Sequence, residues 1–514
     1  MHRLNATTPV IVGAGQLTQR EGDPQQALAP MALAAEAARL ALADSGAGTA
    51  LTAQLDSLVV TRLFSDSTPR RAHGHGRADN PPGAVAAQLG ATPRSRLYAE
   101  IGGNTPQKYL HLMAERIRRG EAAAVLLTGA ECMATARAAV RAGLTLDWQR
   151  HDAGEFEDRG FGERLVTPHE LAHGLGIPIN TYPLFEQALR AARGLSVQDH
   201  LVRMGRLLAS LNAVARHNPH AAWPSRLAAD ALVTPSAQNP WLGFPYTRLV
   251  NARDNVDQAA ALVLTSAGLA RELGIAAERQ VFLHGACDLN DRMLMLDRVD
   301  YARSPAMART GQAALAMAGL GLDDITWFDL YSCFASAVEI ACESLGLAED
   351  DPRGLTLTGG LPFFGGPGNN YSMHALVEAV TRLREAPETY ALVTGNGGVL
   401  SKHTASVLSA RPPHRPWQPP DSRRLQSEID AEAAPPVTET PEGEARIETC
   451  TVMHGREGPQ LGIVIARLLD SGARFVANTP AGDPAACQAL MTDDAIGSRG
   501  RVSPQDGRNT FIPH

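Results

Sequence analysis

The sequence predicts an α/β fold built from two similar halves, with an insertion inside the first half and a small β-rich unit at the C-terminal end. Three observations carry this expectation. Short apolar runs alternate with helical stretches over most of the chain, as in a sheet covered by helices on both faces. A unit of glycine turn, helix, strand and Thr-Gly occurs twice, which implies two related halves. Beyond a proline-rich stretch, the last residues alternate in strand fashion.

The 514 residues carry 47 basic and 54 acidic side chains, a formal charge of −7, with 44% hydrophobic and 20% charged residues. Such a chain can fill a sizeable core and is neither disordered nor a coiled coil. Its acidic balance is not that of an electrostatic nucleic-acid binder. Six cysteines occur without a C-x-x-C pair, which fits a reducing compartment. Neither a long apolar run nor an apolar signal core follows Met1, so the expectation is a cytoplasmic protein with no membrane contact.

In chain order, residues 9–15 read as a buried strand ending in a glycine turn, and 24–43 as an alanine-rich buried helix. Strands are expected at 56–61, 125–129, 260–265, 325–330 and 390–394, in a largely parallel sheet. The first repeated unit opens with Gly103-Asn-Thr-Pro and continues as a helix with Leu110, Met113, Ala114 and Ile117 on one face. The second opens with Gly366-Pro-Gly-Asn-Asn-Tyr-Ser and places Met373, Leu376, Val377 and Val380 likewise. These landmarks divide the chain into a first half (1–132 and 251–275), an inserted domain (133–250) and a second half (276–410). An extended linker (411–446) and a small β-barrel or ribbon (447–514) follow. Ligands are expected where the halves meet, at glycine turns and helix N-termini.

Taken in order, these stretches resemble the thiolase superfamily. Residues 103–131 are similar to the thiolase nucleophile helix and its following strand, with Ala-Glu-Cys-Met in place of Gly-Gly-x-Glu-x-Met. Asn255-Val-Asp-Gln-Ala-Ala-Ala resembles the stretch that re-enters the first half. Asp329-Leu-Tyr-Ser-Cys-Phe-Ala335 stands in place of Asn-Glu-Ala-Phe-Ala. Gly359-Gly-Leu-Pro-Phe-Phe-Gly-Gly-Pro-Gly368 resembles the Gly-His-Pro motif, and Gly395-Asn-Gly-Gly398 the closing Cys-x-Gly-Gly turn. The resemblance implies a layered α-β-α-β-α thiolase fold and a chain of the acetyl-CoA acetyltransferase-like group with an additional C-terminal domain. It also implies that Gly103, Gly366 and Gly395 replace the family's Cys, His and Cys, and that Tyr331 replaces its Asn. Ordinary cysteine-acyl thiolysis is therefore not expected.

The resemblance implies coenzyme A or an acyl-CoA as ligand, no covalent cofactor, and either a homodimer or a monomer. Three readings follow. The first is an acyl-CoA-binding protein with an atypical site; the second is a retro-aldolase of the sterol-carrier-thiolase type acting on a CoA-thioester side chain through Tyr331, whose Tyr-Ser-Cys-Phe setting resembles that group's Tyr-Asp-Cys-Phe. Those aldolases work with a small OB-fold partner, to which the C-terminal unit would correspond. The third is a non-catalytic CoA-binding scaffold. Tyr331, His374 and His403 are the candidate proton-moving groups. Gly102, Gly103, Asn104, Gly365, Gly366, Asn396 and Gly397 are the candidate ligand contacts through turn and helix-start amides. Cys132 and Cys333 read as packing thiols and Lys402 as a solvated charge. Tyr182 and Tyr246 are candidates to line an acyl pocket. The pairs His73/His75 and His217/His220 have loose metal-like spacing without further ligands, so no metal is expected.

Overall fold

The first strand, Pro9–Thr18, continues through Gly13 and Gly15, with a ladder irregularity between Ile11 and Gly13, rather than turning there. A Cβ on Gly13 would lie 2.0 Å from Ala41 O, and one on Gly15 would lie 2.6 Å from Ala37 O. The glycines therefore let the alanine-rich helix Pro30–Asp44 lie directly on the strand, and the expected turn is corrected to a close packing contact. Gly285 plays the same part in the second half, where its Cβ would lie 2.0 Å from Ala314 O of helix Pro305–Ala318. These features come from a computed structural model that describes residues 4–67, 73–415, 417–505 and 507–514.

Ten strands form one continuous sheet. From the joint outward, the first half contributes Pro9–Thr18, Asp257–Ser266, Ala124–Cys132, Ser57–Val60 and Ser95–Tyr98, and the insertion adds the edge strand Glu157–Asp158. The second half contributes Val281–Asn290, Lys402–Ser409, Ala391–Gly397 and Trp327–Asp329. The halves join through two residue pairs, Val10 with Phe282 and Ile11 with Val281. The sheet is mixed, which corrects the largely parallel expectation. Asp257–Ser266 runs antiparallel to both of its neighbours. The insertion leaves after Cys132 and returns at Asp257, and those two residues face each other in the ladder. A chain that comes back at the strand end it left must run antiparallel.

The two repeated helices, Thr105–Arg118 and Tyr371–Glu385, share a central layer. Leu110, Met113, Ala114 and Ile117 of one, and Met373, Leu376, Val377 and Val380 of the other, are buried in a single core with residues from both halves of the sheet. Helix Pro30–Asp44 covers the outer face of the first half, and helices Pro305–Ala318 and Ala335–Leu345 cover that of the second. This is the α-β-α-β-α thiolase layering.

The insertion carries helices Pro178–Ala192 and Val197–Ala215 and the short strands Trp241–Gly243 and Tyr246–Thr247. The stretch expected as an extended linker contains helix Ser422–Asp430. Gln426 exchanges two 2.8 Å hydrogen bonds with the backbone of Asn290, and Trp417 Nε1 donates to Glu115 Oε2 at 2.9 Å. The prolines therefore shape a docked strap.

The C-terminal strands Gly443–Gly455, Gly458–Leu468, Arg474–Asn478, Arg499–Gln505 and Arg508–Pro513 close on themselves in the order 1-2-3-5-4-1. Helix Pro484–Ala489 lies between the third and fourth strands, which is the OB arrangement. The barrel's first strand also pairs with the insertion, Met453 opposite Gly243. No helix among the described residues is long and apolar enough to cross a membrane.

Candidate functional site

The turn at 103–106 starts its helix conventionally, with Pro106 in the first turn, where no intrahelical bond is lost. Gly102 N donates to Asn369 Oδ1 at 3.0 Å, and Gly102 O accepts from Thr105 Oγ1 at 2.7 Å. Asn104 Oδ1 fills the notch between Gly102 and Gly397, 2.4 and 2.2 Å from where their Cβ atoms would stand.

Tyr331 closes this corner. Its backbone N–H donates to Thr394 Oγ1 at 2.9 Å, and its ring lies edge-on to Tyr371 at 5.4 Å. Its hydroxyl oxygen is 2.2 Å from the place a Cβ on Gly103 would take, and Asn396 O is 2.6 Å from the same place. Any side chain at position 103 is excluded, and the phenol stands over the helix N-terminus instead. Burial pushes the Tyr331 pKa well above 10, Cys333 adds to that, and no cation opposes it. The group stays protonated near neutral pH and can donate a proton or a hydrogen bond, but cannot act as a base.

Alternation along Ala391–Gly397 divides the remaining candidates. Gly395 and Gly397 face helix Thr105–Arg118, where their Cβ atoms would meet Gln107 and Asn104. Asn396 and its cross-strand neighbour His403 face the opposite side. Asn396 Nδ2 donates to Tyr182 Oη at 3.1 Å. His403 Nε2 lies 3.1 Å from Asp291 Oδ2 and 3.3 Å from Ser304 Oγ. Burial would raise the Asp291 pKa, but the His403 hydrogen bond and Arg298 outweigh it and hold the carboxylate below its usual range. Tyr331, Thr394, Asn396 and His403 border a void with about 10 Å³ open to a water centre, room for one water and no more.

Comparison with known proteins places this geometry. A family model described as "Thiolase-like protein type 1 additional C-terminal domain" matches residues 424–508, and one described as "Thiolase C-terminal domain-like" matches residues 288–410. A search of curated proteins returns no match. Among solved structures, a monomeric SCP2-thiolase-like protein type 1 from Mycobacterium smegmatis is 37% identical, with a TM-score of 0.85 over 99% of this chain and 100% of that one. This chain belongs to that thiolase-like family. Two further structures share the thiolase fold. An Ltp2-ChsH2(DUF35) aldolase is 20% identical (TM-score 0.57, 78% of this chain and 98% of that one). An acetyl-CoA acetyltransferase from Syntrophomonas wolfei is 17% identical (TM-score 0.55, 79% and 99%).

In this thiolase-like chain the other expected site residues lie elsewhere or are already engaged. His374 is corrected: helix Tyr371–Glu385 turns it to strand Pro9–Thr18, away from the Gly103 corner. There Nδ1 meets Gln16 Oε1 at 2.8 Å and the ring packs on Phe364. Gly366 N donates to Arg253 O at 2.8 Å, and Gly365 is pressed against Gln258. The Gly102 and Gly366 amides are therefore already bonded within the fold. Tyr182 and Tyr246 stack on either side of Phe334 at 4.3 and 5.5 Å, and so pack a core rather than line a pocket. Lys402 is buried and ion-paired with Glu163 at 2.7 Å, not solvated. His75 Nε2 lies 3.1 Å from Ala136 O and its ring stacks with His73, while His217 is exposed beyond the half-buried His220.

All six cysteines are free and buried. Burial pushes the Cys333 thiol up to about 12. Burial, Asp257 and Glu131 push Cys132 up as well. Neither supplies a thiolate near neutral pH. Sequence reasoning missed Asp291, the partner of His403, and a line running Ser406, His111, Asp288 with contacts of 2.8 and 2.7 Å. Ser406 is fully buried in mid-strand, so this line ties the nucleophile-type helix to the second half instead of meeting a substrate. Its members lie 295 and 177 residues apart, with no local signal to connect them.

Proposed function

We propose that this thiolase-like protein binds an acyl-CoA without forming an acyl-enzyme. The observation that carries this reading is the Tyr331 hydroxyl over Gly103, in the space a nucleophilic side chain would need. The raised pKa values of Cys132 and Cys333 support it, because no thiolate stands in reserve. The acyltransferase character of the superfamily would then survive as recognition of the CoA thioester. Free, buried cysteines fit a cytoplasmic setting, and the relative described as monomeric supports a monomer.

Calorimetry with CoA and acetyl-CoA, followed by intact-mass measurement after incubation with acetoacetyl-CoA, tests this. Binding with no mass gain is the expected outcome. An acyl adduct would overturn the loss of covalent chemistry, and no heat of binding to any CoA species would overturn the ligand.

The position of Tyr331 also favours a second reading, retro-aldol cleavage of a β-hydroxyacyl-CoA side chain. The Cα–Cβ bond would break to a carbonyl product and a CoA-thioester enolate, and the β-hydroxyl proton would pass to water. The neutral phenol would protonate the enolate and then regain its proton from that water. The barrel carried on the same chain would take the place of the partner in the aldolase pair. Tyr331→Phe should then abolish release of the carbonyl product while CoA binding persists. If neither activity exists, the remaining reading is a CoA-binding scaffold.

A further inference from the structure

Helices Pro178–Ala192, Val197–Ala215 and Ala335–Leu345 meet behind Tyr246, and each brings one ionisable side chain to the meeting point. Glu186 and Glu339 are fully buried and His200 is 1% exposed. One ligating atom of each lies within 4.8 Å of the other two. We propose that Glu186, His200 and Glu339 bind a divalent transition-metal ion, with zinc as the best match to their chemistry.

Three features of the site support a cation. The carboxyl groups of Glu186 and Glu339 adjoin closely enough to share a hydrogen and His200 Nε2 meets Glu186 Oε1, yet buried Glu339 Oε1 has no donor other than that neighbouring carboxyl among the described residues. An orphaned carboxylate oxygen beside a second carboxylate is costly unless something positive sits between them. The charge around the site is also uneven. Arg193 pairs with Glu339, Glu343 and Glu349, and Arg203 pairs with Glu349. With Glu186, four carboxylates therefore face three guanidinium groups, Arg193, Arg203 and Arg190, whose charge also reaches His200, and negative charge stays in excess.

The outer partners are of the kind that orient ligands. Tyr246 Oη donates to Glu186 Oε2 at 2.5 Å, and Arg193 holds Glu339 Oε2. Mixed carboxylate and imidazole ligands without thiolate suit zinc and its neighbours rather than copper(I) or calcium. The ligands come from two elements of the insertion and one of the second half, so the ion would clamp the insertion in place. Binding transfers no electrons; it displaces only the protons that the carboxylates and imidazole carry in its absence.

The test is metal analysis of the full chain purified without chelator, followed by chelation and titration with zinc, manganese(II) and iron(II) while Tm is followed. About one ion per chain, a Tm that falls on chelation and recovers with zinc, and a loss of affinity in Glu339→Gln and His200→Gln greater than the about 10–100-fold that removal of an outer partner costs are expected. Substoichiometric metal together with a Tm indifferent to all three ions would overturn the site and leave a proton-sharing polar core. Zinc binding unchanged in both variants would place the ion elsewhere and overturn it equally. If a variant does not fold, metal content and titration of the wild-type chain still decide.

Discussion

At the scale of the residue, Gly103 and Tyr331 must be read together. The glycine has not merely lost a thiol; its bareness is what allows the phenol to lie there. Gly103→Cys should therefore destabilise the chain by about 3 kcal/mol, the cost of overpacking against a backbone oxygen and a held ring. Tyr331→Phe should cost less than about 1 kcal/mol, because the hydroxyl has no hydrogen-bond partner among the described residues. Urea denaturation measures both. A Gly103→Cys protein as stable as wild type would mean that the ring moves aside freely and that the corner is open to a substrate.

At the scale of the element, the two central helices were legible in the sequence because their apolar spacing is local, and all eight of the positions read from it are buried. Which way their polar residues point was not legible, because that depends on strands far away in the chain. His374 shows the difference. Seen from its own helix it lies near a glycine turn, but strand Pro9–Thr18 and Gln16 claim it. Burial lowers its pKa from the ordinary value near 6.5 to about 3, with His220 adding to the effect. The imidazole is neutral in the fold, whereas the unfolded chain takes up a proton below about 6.5. Stability should therefore fall as pH drops from about 6.5 towards 3, at up to about 1.4 kcal/mol per pH unit from this group. His374→Gln should flatten that part of the profile in parallel Tm scans of variant and wild type. An unchanged slope would assign the acid sensitivity elsewhere.

The antiparallel return of Asp257–Ser266 escaped sequence reasoning for a related reason. Strand propensity carries no direction, and the direction came from the closure of the insertion at Cys132 and Asp257. The split of Asn396 from Gly395 and Gly397 follows from simple alternation, but only once the turn expected there is known to be strand.

At the scale of the whole molecule, the barrel is part of the core rather than an appendage. Ile463, Ile465 and Val476 belong to the same apolar cluster as Leu175, Leu296 and Tyr301. Arg474, fully buried in the barrel's third strand, pairs with Glu448 at 2.6 Å and donates to the carbonyls of Leu296 and Arg298 in the second half. Removing a buried, fully partnered guanidinium leaves several groups unpaired at once. Arg474→Met should cost about 3–5 kcal/mol in a single cooperative transition for the whole chain. Two separate transitions, with the barrel melting first, would show that it is an independent unit.

The pairing of Met453 with Gly243 also has a meaning in time. The hairpin at Trp241–Thr247 leaves the ribosome roughly 200 residues before its barrel partner exists, about 10–40 s at common rates of synthesis. Through that interval an apolar strand edge beside Trp241 and Phe244 stands unpaired, an invitation to neighbouring nascent chains. Expression yield of this protein should thus depend more on elongation speed and holdase chaperones than its folded stability would suggest.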